Sequence, residues 1–420
     1  MTTANDWDWE SKEKSIPLKK WKDNFEWVEE PHASDDGEHI GAIVNLDEAE
    51  FTVCVNGETW DTPFEKIWNL RFSRDGRLTA LVSEDELWTV AVDGKTWENK
   101  FDYAWNTQFS RDGTCIAIAF QQDMAYGMAV DDKSWNTLFS NISNMNLSSD
   151  GKRTAASIQT EALSQGDIFK FSDGAFSAAV DGNPWETNFV NVWQTAFSSD
   201  TGKLAAEVRL NLYEYTIAVD GEIWGRTFGS VWEPKFNPNT DDVTAPVRSG
   251  SLWSIAENGH LIWNGKYGQL WHHIYSPDGK TIAAIVSPRF GKWTIAVDDN
   301  PWPVLFGDMV IDITYSHNGR HVAALAKDNG KWTVVVDGVP WTSEFDRAWP
   351  PVFSADDEFV AVKVEKDGMV TYAVNDHMWD HKCDGAWDPV FHPRGGKILF
   401  RTIEDGTYHR RIKSVSEITG

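Results

Sequence analysis

The stretch that decides the fold runs from Trp68 to Phe101, WNLRFSRDGRLTALVSEDELWTVAVDGKTWENKF. It reads as four short strands. WNLRFS is closed by the turn RDG, RLTALVS is small and β-branched, LWTVAV alternates strongly and ends on Asp93–Gly94, and KTWENKF follows. Asp-Gly between alternating runs marks a type I′ hairpin, because both central residues of that turn need positive φ. The same signal stands at Asp181–Gly182, Asp220–Gly221 and Asp337–Gly338, with Asn56–Gly57 and Asn258–Gly259 as equivalents.

The unit repeats along the chain. One tryptophan series stands at 21, 60, 97, 135, 185, 224, 263, 302, 341 and 379, in steps of 39, 37, 38, 50, 39, 39, 39, 39 and 38 residues. A fixed period near 40 residues means repeat architecture, and four strands in that span make a β-propeller blade. The expectation is an all-β chain, a β-propeller of about ten four-stranded blades over residues 19–416. Residues 1–18 and 417–420 are tails, and the 50-residue step marks an insertion around Thr160–Gly174. Ten exceeds the usual four to eight blades, so two smaller propellers in tandem stand as the alternative. The last unit has strands near Ala386–His392, Lys397–Thr402 and Tyr408–Val415 and no fourth. The N-terminal KKWKDNFEWV carries Trp21 and Phe25 in the right frame to supply it, which would hide two sheet edges.

The tryptophans fall into classes. The first lies in W-x-x-x-F, as in Trp60/Phe64 and Trp97/Phe101, and on an outer strand its two rings share a face and pack between blades. A second class lies eight residues later, at Trp68, Trp105, Trp193, Trp232, Trp271, Trp349 and Trp387. Here the chain has crossed to the next innermost strand, so these rings should gather near one mouth of the channel. They are the candidate partner-binding residues, since Trp anchors interfaces through large rigid area. Packing between adjacent blades is the competing reading. The third class, Trp88, Trp253, Trp293 and Trp332, opens the third strand and reads as core.

Composition narrows the function. The chain has 420 residues, 24 of them tryptophan, and a formal net charge of −26. That acidity argues against a broad nucleic-acid or anionic-membrane surface and favours a basic partner surface. The start lacks a signal-peptide pattern and no run is long enough to span a bilayer, which points to a cytoplasmic protein. Three cysteines form no C-x-x-C, and Cys54, Cys115 and Cys383 each fall in a structural slot of the repeat. His377, His381 and Cys383 share a strand face, with His392 or His409 within reach, but lack a usual zinc spacing. No nucleophile elbow and no phosphate-binding loop occurs. The expectation is a non-enzymatic chain with no catalytic residues, no cofactor and no metal.

Two resemblances add to this reading. FSRDG (Phe72–Gly76 and Phe109–Gly113), YSPDG (Tyr275–Gly279) and YSHNG (Tyr315–Gly319) resemble TolB-type or WD-like propeller repeats over nearly the whole chain. The repeated AVDGxxWxxxF, as at Ala91–Phe101, Ala179–Phe189 and Ala218–Phe228, is similar to the tryptophan-rich propeller subunit of the transmembrane redox complexes of sulfate-reducing bacteria. That resemblance implies a cofactor-free accessory subunit for sulfate respiration, on the cytoplasmic side of the inner membrane. Its partners would be a cytochrome b-type membrane subunit, an iron–sulfur subunit and a multihaem cytochrome. The rival reading is a lectin-like propeller that binds carbohydrate or peptide at its tryptophan-lined mouth.

Overall fold

The computed structural model describes residues 4–164 and 166–420. Ten antiparallel sheets follow one another as the blades of a β-propeller. In blade two, Lys66–Phe72, Leu78–Glu84, Leu87–Val92 and Lys95–Thr96 pair in sequence order. The other blades repeat this order, and blade ten borrows one strand. The first strand of each blade lies nearest the axis. Its residues in blades one, two and three line one cavity together with blade ten.

A core of buried side chains fills every junction between consecutive blades, as where Ile43 and Val53 of blade one meet Leu70, Leu78 and Val82 of blade two. Blades nine and ten share Ala361, Tyr372, Ile398 and Phe400. Blade ten closes on blade one through Tyr408, Leu18, Ile40 and Val44. The junctions thus run once round, and the molecule is one ring of ten blades rather than two propellers in tandem.

The N-terminus closes blade ten, through a different segment from the one expected. Glu13–Ile16 pairs antiparallel with Thr407–Ser414, Glu13 opposite Arg411 and Ile16 opposite Tyr408. This strand lies inside the 1–18 segment read as a tail. KKWKDNF does not extend. Pro17 ends the strand and Leu18–Asp23 forms a 3-10 helix. Trp21 nevertheless reaches the junction core, so a helix delivers the ring that an outer strand delivers elsewhere.

The turn chemistry explains the Asp and Asn of the repeat. In each of blades one to nine the first turn residue after the third strand adopts positive φ, from Asn56 to Asn375. Its side-chain oxygen accepts the first N–H of the second strand, as from Leu78 to Asp93 Oδ1 at 2.8 Å and from Val243 to Asn258 Oδ1 at 3.0 Å. Asp and Asn tolerate that backbone and supply the acceptor.

The second turn residue meets the preceding blade, and it does so in two ways. Where it is glycine, the preceding blade's W-x-x-x-F indole lies against it. A Cβ on Gly94 would stand 3.0 Å from Trp60 Cγ, and one on Gly338 would stand 3.1 Å from Trp302 Cγ. Where it is aspartate, the carboxylate takes backbone N–H groups just past the indole. Asp132 accepts from Glu98 and Asn99 at 2.8 and 3.0 Å, Asp376 from Thr342 and Ser343 at 2.7 and 3.0 Å, and Asp299 from Asn264 at 3.1 Å.

The insertion sits between the second and third strands of blade four. The N–H of Thr160 bonds to Ala175 O across its base, and it carries the short helix Ile168–Asp173.

Candidate functional site

Antiparallel pairing gives the ring two unlike faces. The pairs Lys66–Ser83 and Ser83–Trp88 place the start of the first strand with the loop between second and third strands, on what we term the loop face. The Ser-x-Asp-Gly turns and the Asp-Gly turns lie at the opposite ends, on the turn face. In the former a buried serine hydroxyl donates to the turn aspartate, as Ser110 to Asp112 at 2.6 Å and Ser276 to Asp278 at 2.7 Å.

Exposed large apolar side chains are distributed unevenly between these faces. Among the described residues, three of them (Ile223, Leu261 and Val339) lie on outermost strands next to the turn face, and Ile262 directly follows one. All the others stand in loops or at strand ends of the loop face. The densest group joins the insertion of blade four to the corresponding loop of blade five. Phe169 is 84% exposed, Tyr213 80%, Ile168 70% and Leu212 62%. Beside them Phe171, Val190, Leu212 and Tyr213 line a cavity of about 590 Å³.

The second tryptophan class is spread round the ring, one indole in each of seven blades. Each first strand shifts register at or just past this position, and the following residue takes positive φ in several blades, such as Asn69, Asn106 and His272. In blades six, nine and ten Pro234, Pro350 and Pro389 split the strand instead, since proline cannot donate to the ladder. The bulge turns most indoles onto an aromatic of their own blade's third strand. Trp68 meets Trp88 at 6.2 Å, Trp105 meets Tyr126 at 6.0 Å, Trp193 stacks on Tyr215 at 6.0 Å and Trp232 on Trp253 at 5.6 Å. Trp271 meets Trp293 at 4.5 Å and Trp387 meets Tyr408 at 5.7 Å. Trp349 lies under the Lys363 ammonium at 4.7 Å. Trp232 is the most open of the seven, 46% exposed.

Two of these rings share a site. Trp193 and Trp232 line a cavity of about 390 Å³ between blades four, five and six, together with Tyr215, Asn144 and Glu207. Glu207 occupies the position held by Leu81 in blade two and is buried. Burial first, and then the charge of Glu233, push its carboxyl up to about 8. Glu233 pairs with His272 Nδ1 at 2.9 Å.

The His377, His381 and Cys383 group resolves into a carboxylate hub. Glu404 accepts from Arg411 and Thr402, stands 3.0 Å from His381 Nε2 and lies 3.6 Å from Cys383 Sγ. Burial opposes ionisation of Glu404, and hydrogen bonds from Arg411, Thr402 and His381 overcome it and bring its carboxyl down to about 2. Burial and the same carboxylate push the Cys383 thiol up to about 12, which makes it a poor ligand or nucleophile. Among the described residues no group of three or more His, Cys, Asp or Glu is placed to hold a metal ion. No helix there is long and apolar enough to cross a membrane.

The comparisons with known proteins speak to the fold alone. No family model and no curated protein matches the chain. Solved structures do match. A eukaryotic initiation factor aligns at 11% identity over 84% of this chain and 96% of its own, with a TM-score of 0.49. The Dos1 propeller aligns at 8% over 91% and 92%, with a TM-score of 0.35. The Cps50 (Swd1) propeller domain of Myceliophteria thermophila aligns at 12% over 74% and 95%, with a TM-score of 0.30.

Proposed function

We propose that the chain is a non-catalytic scaffold that docks a partner protein on its loop face. The observation that carries this reading is the concentration of Phe169, Tyr213, Ile168 and Leu212, with Phe290 and Met124 elsewhere on that face. Contiguous exposed apolar area rimmed by polar residues marks interaction surfaces in soluble proteins. The blade-four insertion deepens that surface beside the five-residue loop of blade five, where most blades make tight hairpins. Trp232, the most open of the second-class indoles, belongs to the same face. The resemblance of the AVDGxxWxxxF units supplies the finer reading, an accessory subunit on the cytoplasmic side of a membrane electron-transfer complex.

The test is mild-detergent affinity isolation from native membranes, with haem absorbance and mass spectrometry of the eluate. Wild-type protein should bring down a b-type haem protein and an iron–sulfur subunit. The Phe169→Ser/Tyr213→Ser variant should lose them while keeping its fold. A haem-free eluate would overturn the redox assignment, and retention of partners by the variant would overturn the docking face.

A further inference from the structure

On the turn face the channel mouth is cationic. A cavity of about 1090 Å³ is lined there by Arg71, Arg74, Arg111 and Arg401, from blades two, three and ten. In a chain of net charge −26 such a cluster needs explaining. Among the described residues only one surrounding carboxylate, Asp35, pairs with any of these arginines. Asp388 pairs with Lys363 at 2.9 Å, Asp75 with Arg77 at 2.8 Å, and Asp112 is taken by Ser110 and Thr114. Asp35 lies 3.7 Å from Arg401.

The arginines are held in three ways. Arg401 is buried, 4% exposed. It donates from Nη1 to Ser34 O and from Nη2 to Asp388 O, and its buried Nε has no partner. Arg74 reaches across the blade junction and donates to Arg111 O at 3.3 Å. Among the described residues the side chains of Arg71 and Arg111 make no hydrogen bond and no ion pair, although both are exposed and acid outnumbers base in the chain. The field is felt nearby: burial, and then the charge of Arg71, lower the pKa of His32 in the same wall. Trp7, Trp387, Phe72 and Phe109 supply flat apolar surface between the cations.

We propose that this cavity binds a small anion carrying two or more phosphoryl groups. Guanidinium groups on three sides match the tetrahedral oxygens of phosphate through paired N–H donors, and a volume of this order holds a nucleotide-sized ligand. Binding relieves the mutual repulsion of Arg71, Arg74 and Arg111. It also separates the two faces by role, an anionic effector on one and a docked protein on the other.

Calorimetric titration of the whole protein with tripolyphosphate, and separately with ATP, at two salt concentrations tests this. Saturable one-to-one binding that weakens with salt is expected. The Arg71→Ala/Arg111→Ala variant should weaken it at least about tenfold, because charge-assisted hydrogen bonds are lost. Neither side chain has a hydrogen-bond or ion-pair partner among the described residues, so circular dichroism and melting temperature should match wild type. Tighter binding of ATP than of tripolyphosphate would identify a nucleotide held by the aromatic walls, and equal binding a free oligophosphate. Absence of saturable binding to the wild type, or undiminished binding to the variant, would overturn the proposal.

Discussion

The indole of Trp60 lies so close over Gly94 that a Cβ there would stand 3.0 Å from Trp60 Cγ, and Gly94 itself has φ of +80°. This contact joins blade one to blade two, and it recurs at Trp135–Gly182 and Trp302–Gly338. Gly94→Ala should therefore meet two penalties, a left-handed backbone and a displaced indole. Gly76→Ala, at φ +91° with nothing within 4 Å, meets only the first. Urea unfolding should show a loss of about 1–2 kcal/mol for Gly76→Ala and a distinctly larger loss for Gly94→Ala. Equal losses would mean that the indole contact is slack.

Asp132 performs the other kind of junction, and its replacements should rank in a definite order. Asp132→Ala loses the acceptor for Glu98 and Asn99 and keeps a side chain at φ +66°. Asp132→Gly loses the acceptor but relaxes the backbone, recreating the turn of the neighbouring blades. Alanine should cost about 1–2 kcal/mol and glycine less, read from denaturant midpoints.

Glu404 makes the seam of the ring acid-sensitive. Its carboxyl ordinarily titrates near 4.5 and is held near 2 in the folded protein. Because the folded value is depressed, its contribution is complete above the ordinary value and disappears as pH falls from about 4.5 through about 2. Glu404→Gln should lower the stability measured at pH 7, with the gap to wild type closing across that window. A gap that persists unchanged at pH 2 would rule out the ionised hub.

Glu207 runs the opposite way. Its folded carboxyl titrates near 8 against an ordinary 4.5, so the folded state holds a proton that the unfolded state releases. Stability should fall as pH rises from about 4.5 to about 8 on this account. Glu207→Gln should match wild type below pH 4.5 and exceed it at pH 8, by on the order of a few kcal/mol. Parallel denaturation series at the two pH values decide the matter.

Much of this architecture is legible in the sequence, and the parts that are not share a cause. Asp-Gly and Asn-Gly turns name six junctions directly, and tryptophan spacing finds the rest, including the insertion at 160–174. The turns Asp131–Asp132, Asp298–Asp299 and Asn375–Asp376 give no glycine signal, because a carboxylate bound to the preceding blade holds the left-handed backbone instead. The closing strand is missed by a few residues. Trp21 keeps its place in the core, but Pro17 makes a helix deliver it. Within the candidate site, strand periodicity places the second-class indoles on the first strands. It does not show that a bulge turns them toward their own blades. Glu404 and Arg411 are found only through pairing across the last hairpin, and Arg71, Arg111 and Arg401 only through ring closure.

That closure has a consequence for how such rings can change size. The seam lies inside blade ten, where Glu13–Ile16 lies along Thr407–Ser414, and not at a junction between blades. Duplicating or deleting one internal unit would leave every seam residue in place and merely ask the remaining wedges to open or close by a small angle. Blade number in this design is therefore set by how the Trp–Gly and Asp–amide junctions cant one sheet against the next, and the ends of the chain act as a clasp that fits a belt of any length.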